Sequence, residues 1–150
     1  MRLHSTTLAS RILFAVLVIV VVTMAIGLGL YVSLARSTAD ANATERASNI
    51  AASVGDMSVV ASALAAGDPH GTIRVIADQV VRDTGAAYVV VIGANGLRYS
   101  HPNKALIGQR VEEPVVALDG RIHTGMNNGS LGRSANARAP IRDATGRPIG

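Results

Sequence analysis

Arg98 and His101 stand three residues apart in Asn95-Gly96-Leu97-Arg98-Tyr99-Ser100-His101-Pro102. This stretch opens with a turn dipeptide and closes on a proline, so it reads as a short strand leaving a tight turn. A guanidinium offers two parallel N–H donors that match a carboxylate. An imidazole adds one donor, and an ionic partner when protonated. Together they predict a grip on a small anion. Downstream, Asn127-Asn128-Gly129 reads as a turn, and Gly129 and Ser130 can present backbone N–H groups to the same anion. His70 and His123 have no metal-ligand spacing and read as surface residues. The chain has no cysteine, which removes disulfides and thiolate metal sites. Neither a paired-carboxylate site, nor a Ser-His-Asp set, nor a Walker or Rossmann glycine pattern is present, so the chain carries no catalytic constellation.

The charge distribution fits an anion receptor. From Ser37 to Leu97 three arginines face six acids, a net of −3, whereas Arg98 to Gly150 carries eight cations against four acids, a net of +4. A basic C-terminal half invites an anionic partner. Nucleic acid is excluded by the scarcity of aromatics and the lack of a Lys/Arg run. Lys104 and Arg133 add to the positive field. Tyr88 and Tyr99 read as core or rim packing.

These residues must be held somewhere, and the first third of the chain says where. Ile12 to Leu34 contains no charged residue. As a helix this run spans roughly 34 Å, enough to cross a bilayer with some tilt. Arg2 and Arg11 precede it, while Asp40 and Glu45 follow it, which places residues 1–11 in the cytoplasm, 12–34 in the membrane and 35–150 outside. A cleaved signal peptide ending at Ala41-Asn42-Ala43 is the competing reading. The apolar core is about twice the usual signal length, which favours an uncleaved anchor.

Beyond the anchor, Ser37–Ala52 reads as a helix continuing directly from the membrane span, either a mechanical rod or a plain tether. Gly55-Asp56 interrupts it. Ser58–Ala66 reads as a second helix, and Asp68 or His70 opens a third, with Ile73, Ile76, Ala77, Val80 and Val81 on one face and Gly85 as its stop. Ala86–Ile92 is an apolar, β-branched run expected to form a central strand buried on both faces. Leu97–His101, Arg121–Met126 and Ser134–Ile141 are the next strands. Asn103–Val111 is a loop, Pro114–Leu118 a helical turn, Asp143–Gly146 a turn, and Arg147–Gly150 the start of another strand. Helices followed by antiparallel strands predict an α+β domain with the N-terminal helices packed on one sheet face.

At this point the ordered set of motifs resembles the N-terminal part of the citrate/C4-dicarboxylate sensor histidine kinases. The resemblance is carried by Gly85–Ile92, Asn95–Pro102, Leu106-Ile107-Gly108, Gly129-Ser130-Leu131-Gly132 and Pro140–Gly150, and it covers nearly the whole chain. It implies a transmembrane helix followed by a PAS-like (PDC-type) sensor domain. It also implies that Arg98 and His101 contact ligand carboxylates, with Ser130 and the Leu131 backbone donating from the facing segment. Where the family usually has an arginine this chain has Asn136, and Arg138 lies two residues on, where citrate-type members carry a basic residue. Positions two apart on a strand share a face, so Arg98 and Arg138 are the expected clamps and Asn136 the departure that bears on ligand identity.

The function implied is the sensing part of a two-component membrane receptor for citrate, malate, fumarate or succinate. Its partners would be the carboxylate, the membrane, a second copy in a homodimer and a response regulator. ATP and Mg are expected only for a kinase part beyond Gly150, together with a last strand and a second membrane helix. The same sensor on a chemoreceptor or cyclase, or a membrane-anchored module that touches anionic polymers, is the alternative.

Overall fold

A computed structural model of the chain describes residues 8–129 and 132–150. They divide into two compact units, one up to Asp40 and one from Ala41 to Gly150. Helix α1 (Leu8–Gly55) supplies all of the described residues of the first unit and the opening of the second.

In the first unit the large apolar side chains from Ile12 to Leu34 are all exposed, with Leu13 at 73% and Leu30 at 68%. This helix is long and apolar enough to cross a membrane. Thr23 does not break the apolar character, because its hydroxyl donates to the Ile19 and Val20 carbonyls at 3.0 and 2.9 Å. A polar group satisfied inside its own helix is tolerated in hydrocarbon.

In the second unit, α1 ends at Gly55 and is followed by α2 (Ser58–Ala65) and α3 (Thr72–Thr84). The end of α1 passes against backbone: a Cβ on Gly55 would lie 2.6 Å from the Pro140 carbonyl oxygen. Asp68 caps α3 from outside the helix. Its carboxylate accepts from the Thr72 N–H at 2.7 Å and from the Ile73 N–H at 3.3 Å, satisfying donors that a helix start leaves open. His70 takes no part in that cap and is exposed. Gly85 closes α3 in the left-handed conformation. Both outcomes follow the sequence expectation.

The core joins these helices to the later half of the chain. Val54, Val60, Leu64 and Ile73 pack with Val91 and Ile141, and Tyr99 and Ile149 close its edge. Each such side chain contributes about 1.5–3 kcal/mol by leaving water. The apolar face read for α3 is borne out at Ile73 and Ala77, which are buried.

The later half is antiparallel throughout its described pairings. Strands β1 (His123–Gly129) and β2 (Gly132–Arg138) form a two-stranded sheet running from His123↔Arg138 to Gly129↔Gly132. Single bridges join Ile92 to Arg98, Leu97 to Arg110 and Arg142 to Pro148. Two 3-10 turns, Lys104–Leu106 and Val116–Asp119, lie between. The α+β class with helices against a small antiparallel sheet is as expected.

Three local expectations are corrected. Ala86–Ile92 is not a doubly buried central strand: Val91 is buried, but Tyr88 is 55% exposed and so is not core packing. Its pairing is mixed, because Ser100 stands in for a backbone partner. The Ser100 hydroxyl accepts from the Val91 N–H at 2.8 Å and donates to the Val89 carbonyl at 3.1 Å. Asn127-Asn128-Gly129 is not a turn either. It continues β1, with Asn127 paired to Ser134 and Asn128 to Arg133, so the backbone ladder overrides the local turn signal. Finally, the fourth strand stops at Arg138, short of Ile141, which turns into the core.

Candidate ligand-binding site

The turn that launches Arg98 forms as the Asn-Gly pair predicts. The Gly93 N–H donates to the Leu97 carbonyl at 3.0 Å, and Gly96 has φ +78°, where a side chain would be strained. The Asn95 side chain accepts from the Leu97 N–H at 2.9 Å, fixing the turn from inside. Arg98 is then clamped along its backbone. Its N–H donates to the Gln109 carbonyl at 3.1 Å and its carbonyl accepts from the Gly108 N–H at 2.8 Å. Its guanidinium donates through Nη1 to the Arg110 carbonyl at 3.1 Å in an exposed contact.

His101 is oriented by its own loop. Its Nδ1 accepts from the Asn103 N–H at 3.0 Å. The same nitrogen lies 3.2 Å from the Asn103 carbonyl oxygen, so the loop offers a partner to either tautomer of the ring.

Two other expected residues, Asn136 and Arg138, lie on β2. Residues directly opposite in an antiparallel pair share a face. One face carries Asn136 with Gly125 opposite, and Arg138 with His123 opposite. The other carries Met126, whose sulfur lies 3.6 Å from the Thr44 hydroxyl of α1. The sheet thus turns one face to α1 and leaves Asn136 and Arg138 together on the other. Gly125 gives Asn136 room: a Cβ there would meet the Asn136 amide oxygen at 3.4 Å.

Arg98 and Arg138 come from different elements, and one short segment engages both. Arg98 reaches the Arg110 carbonyl, while Arg138 Nη2 lies 4.0 Å from Glu113 Oε2. Ser130 and Leu131 lie outside the described residues.

Two neighbours were not singled out by sequence. Glu113 pairs with Arg138, and His123 stands opposite it with Nε2 2.9 Å from the Asp119 carboxylate. His123 is a surface histidine, as read, with the Asp119 carboxylate as a partner. Its four-residue spacing from Asp119 was a visible signal, but the strand register that sets it beside Arg138 was not. The Asp119 carboxyl is held below the usual range, first by the Arg121 backbone N–H and then by His123.

The basic half is partly used up in structure. Arg142 donates to the Gly146 and Gly120 carbonyls at 2.9 and 2.7 Å, and Arg147 pairs with Asp143 at 3.2 Å. No group of three or more metal-ligating side chains occurs among the described residues.

A long N-terminal helix, two further helices and a small antiparallel sheet give the mixed α+β architecture of a sensor domain. Residues 34–150 match the single cache domain 3 family, and the chain belongs to that family. Among its relatives is the sensor protein CitS of Halalkalibacterium halodurans, 32% identical over 109 residues, which cover 71% of this chain and 20% of CitS. The sensor histidine kinase DcuS of Escherichia coli O6:H1 is 27% identical over 154 residues, covering all of this chain and 27% of DcuS. The crystal structure of the E. coli DcuS sensor domain superposes with a TM-score of 0.62 at 26% identity, covering 74% of this chain and 85% of that one. The resemblance to sensor kinases and the PAS-like fold expected from it are borne out. The chain spans only about a fifth to a quarter of the length of these relatives.

Proposed function

We propose that this chain is the sensing part of a membrane sensor histidine kinase that binds a small di- or tricarboxylate of the citrate, malate, fumarate or succinate type. Residues 1–11 lie in the cytoplasm, 12–34 span the membrane and 35–150 form the sensor outside it. Arg98 and Arg138 hold two carboxylates of the ligand, His101 contacts one of them, and Ser130 and the Leu131 backbone complete the cradle. Asn136 replaces a charge with an amide and lowers the positive potential of the pocket. The full receptor works as a homodimer, with ATP and Mg used by its kinase part to phosphorylate a response regulator. A ligand drives signalling only as far as it binds one conformation better than the other.

The observation that supports this reading best is the register of β1 and β2. It puts Asn136 and Arg138 on the face away from α1, where the guanidinium already has a carboxylate, Glu113, beside it. The test is thermal unfolding of the 150-residue chain in lipid nanodiscs with each of the four acids. At a ligand concentration a hundredfold above Kd the stabilisation is about 2.7 kcal/mol, several degrees for a domain of this size. Arg98→Ala abolishes the shift. A shift with none of the acids, or one that survives Arg98→Ala, contradicts the proposal.

A further inference from the structure

We infer that Glu113 is an internal counter-ion of this site, a carboxylate that occupies Arg138 until a ligand carboxylate displaces it, and so sets both affinity and charge selectivity. The inference rests on the carboxylate reading above.

The geometry starts from the segment Arg110–Glu113. Its beginning is fixed to the Arg98 hairpin: Leu97 bridges to Arg110, and the Val111 N–H donates to the Gly96 carbonyl at 2.9 Å. The Arg110 carbonyl holds the Arg98 guanidinium. Two residues past the Val111 anchor, Glu113 reaches across to Arg138 on β2. One strap attached to the Arg98 hairpin therefore supplies an acceptor to both guanidiniums.

The Glu113 pair is built to be displaced. Its N···O distance is 4.0 Å, and the side chains are 53% and 83% exposed. A pair this long and this open to water adds little to stability. A ligand carboxylate that takes two parallel N–H bonds from the same guanidinium binds it more strongly. Displacement then leaves the Glu113 charge beside an incoming anion. That repulsion grows with ligand charge, so Glu113 penalises a tricarboxylate more than a C4-dicarboxylate.

Isothermal titration of the full chain in nanodiscs with citrate and with succinate tests this, using wild type, Glu113→Gln and Glu112→Gln. The Glu112 variant removes the same charge from the neighbouring residue, which has no ion pair with Arg138 among the described contacts. Glu113→Gln is expected to tighten citrate binding about two- to fivefold. The gain for succinate is smaller, both gains shrink as salt rises, and Glu112→Gln gives less than half the effect. Unchanged or weaker binding by Glu113→Gln overturns the inference, as does an equal gain from Glu112→Gln. Wild-type binding with an unmoved Glu113→Gln contradicts this inference alone. Wild type that binds none of the four acids contradicts the carboxylate reading and this inference with it.

Discussion

Ser100 shows how one side chain inside the Arg98–His101 segment can serve the fold and not the ligand. It is 2% exposed and bridges the Val91 N–H and the Val89 carbonyl. Replacing it with alanine leaves both backbone groups buried without that partner, which costs about 1–3 kcal/mol. Urea denaturation of Ser100→Ala should show that loss, with carboxylate affinity recovered wherever the protein remains folded. A loss under 0.5 kcal/mol would mean that water replaces the hydroxyl. From sequence, Ser100 could be placed in the motif but not given this role, since a serine on a strand more often faces solvent. For Arg98 and His101 the Asn-Gly turn that positions them was legible, because its signal is a local dipeptide. Glu113 was not, because its partner lies 25 residues away across a loop whose path no local pattern encodes.

At the scale of elements, the helices were the most readable. Caps and stops are local: Asp68, Gly85 and Gly120 act within a turn of their positions. The β part was less so. An apolar β-branched run reports burial, whereas strand identity depends on what lies opposite, and Val91 found a hydroxyl there. Gly55 supports a prediction on the helical side. With the Pro140 carbonyl 2.6 Å from where its Cβ would sit, Gly55→Ala must push α1 from the 140 segment. Overpacking of this kind costs about 1–3 kcal/mol, against a small helix-propensity gain. A lowered urea midpoint is expected, and an unchanged or raised one would show that α1 is free to shift.

The turns carry a pH dependence. The Asp143 carboxyl is held below its ordinary value, chiefly by the Thr145 hydroxyl and then by the Arg147 backbone N–H. Asp119 is lowered likewise. A depressed native value means that the unfolded chain takes up protons first as pH falls. The stabilisation is therefore complete above the ordinary carboxylate range, near ~4, and is lost as pH drops through the lowered native values. Tm should fall in acid below about pH 4. Asp143→Asn should lower Tm at pH 6 and make the acid loss smaller. An acid limb that is the same in the variant would remove Asp143 from the account.

For the molecule as a whole, the sequence showed a helix long and apolar enough to span a membrane, the sensor family and a basic C-terminal half. It overstated how much of that basic charge is available, because Arg142 ties two turns together and Arg147 closes a third. A concavity of about 320 Å³ lies between α1 and α3, lined by Asn49, Ile50, Val54, Met57, Val80 and Asp83. Its walls are mostly apolar with a carboxylate at the rim, which suits no citrate.

The proposed carboxylate site and this concavity separate the central claim from its rival in one measurement. Chemical-shift mapping of the isotope-labelled chain, titrated with citrate and with succinate, reports where the ligand sits. The account predicts saturable shifts concentrated at Arg98, His101, Glu113, Asn136 and Arg138. Shifts confined to Ile50, Val54 and Val80, or no saturable shifts with any small carboxylate, would contradict it.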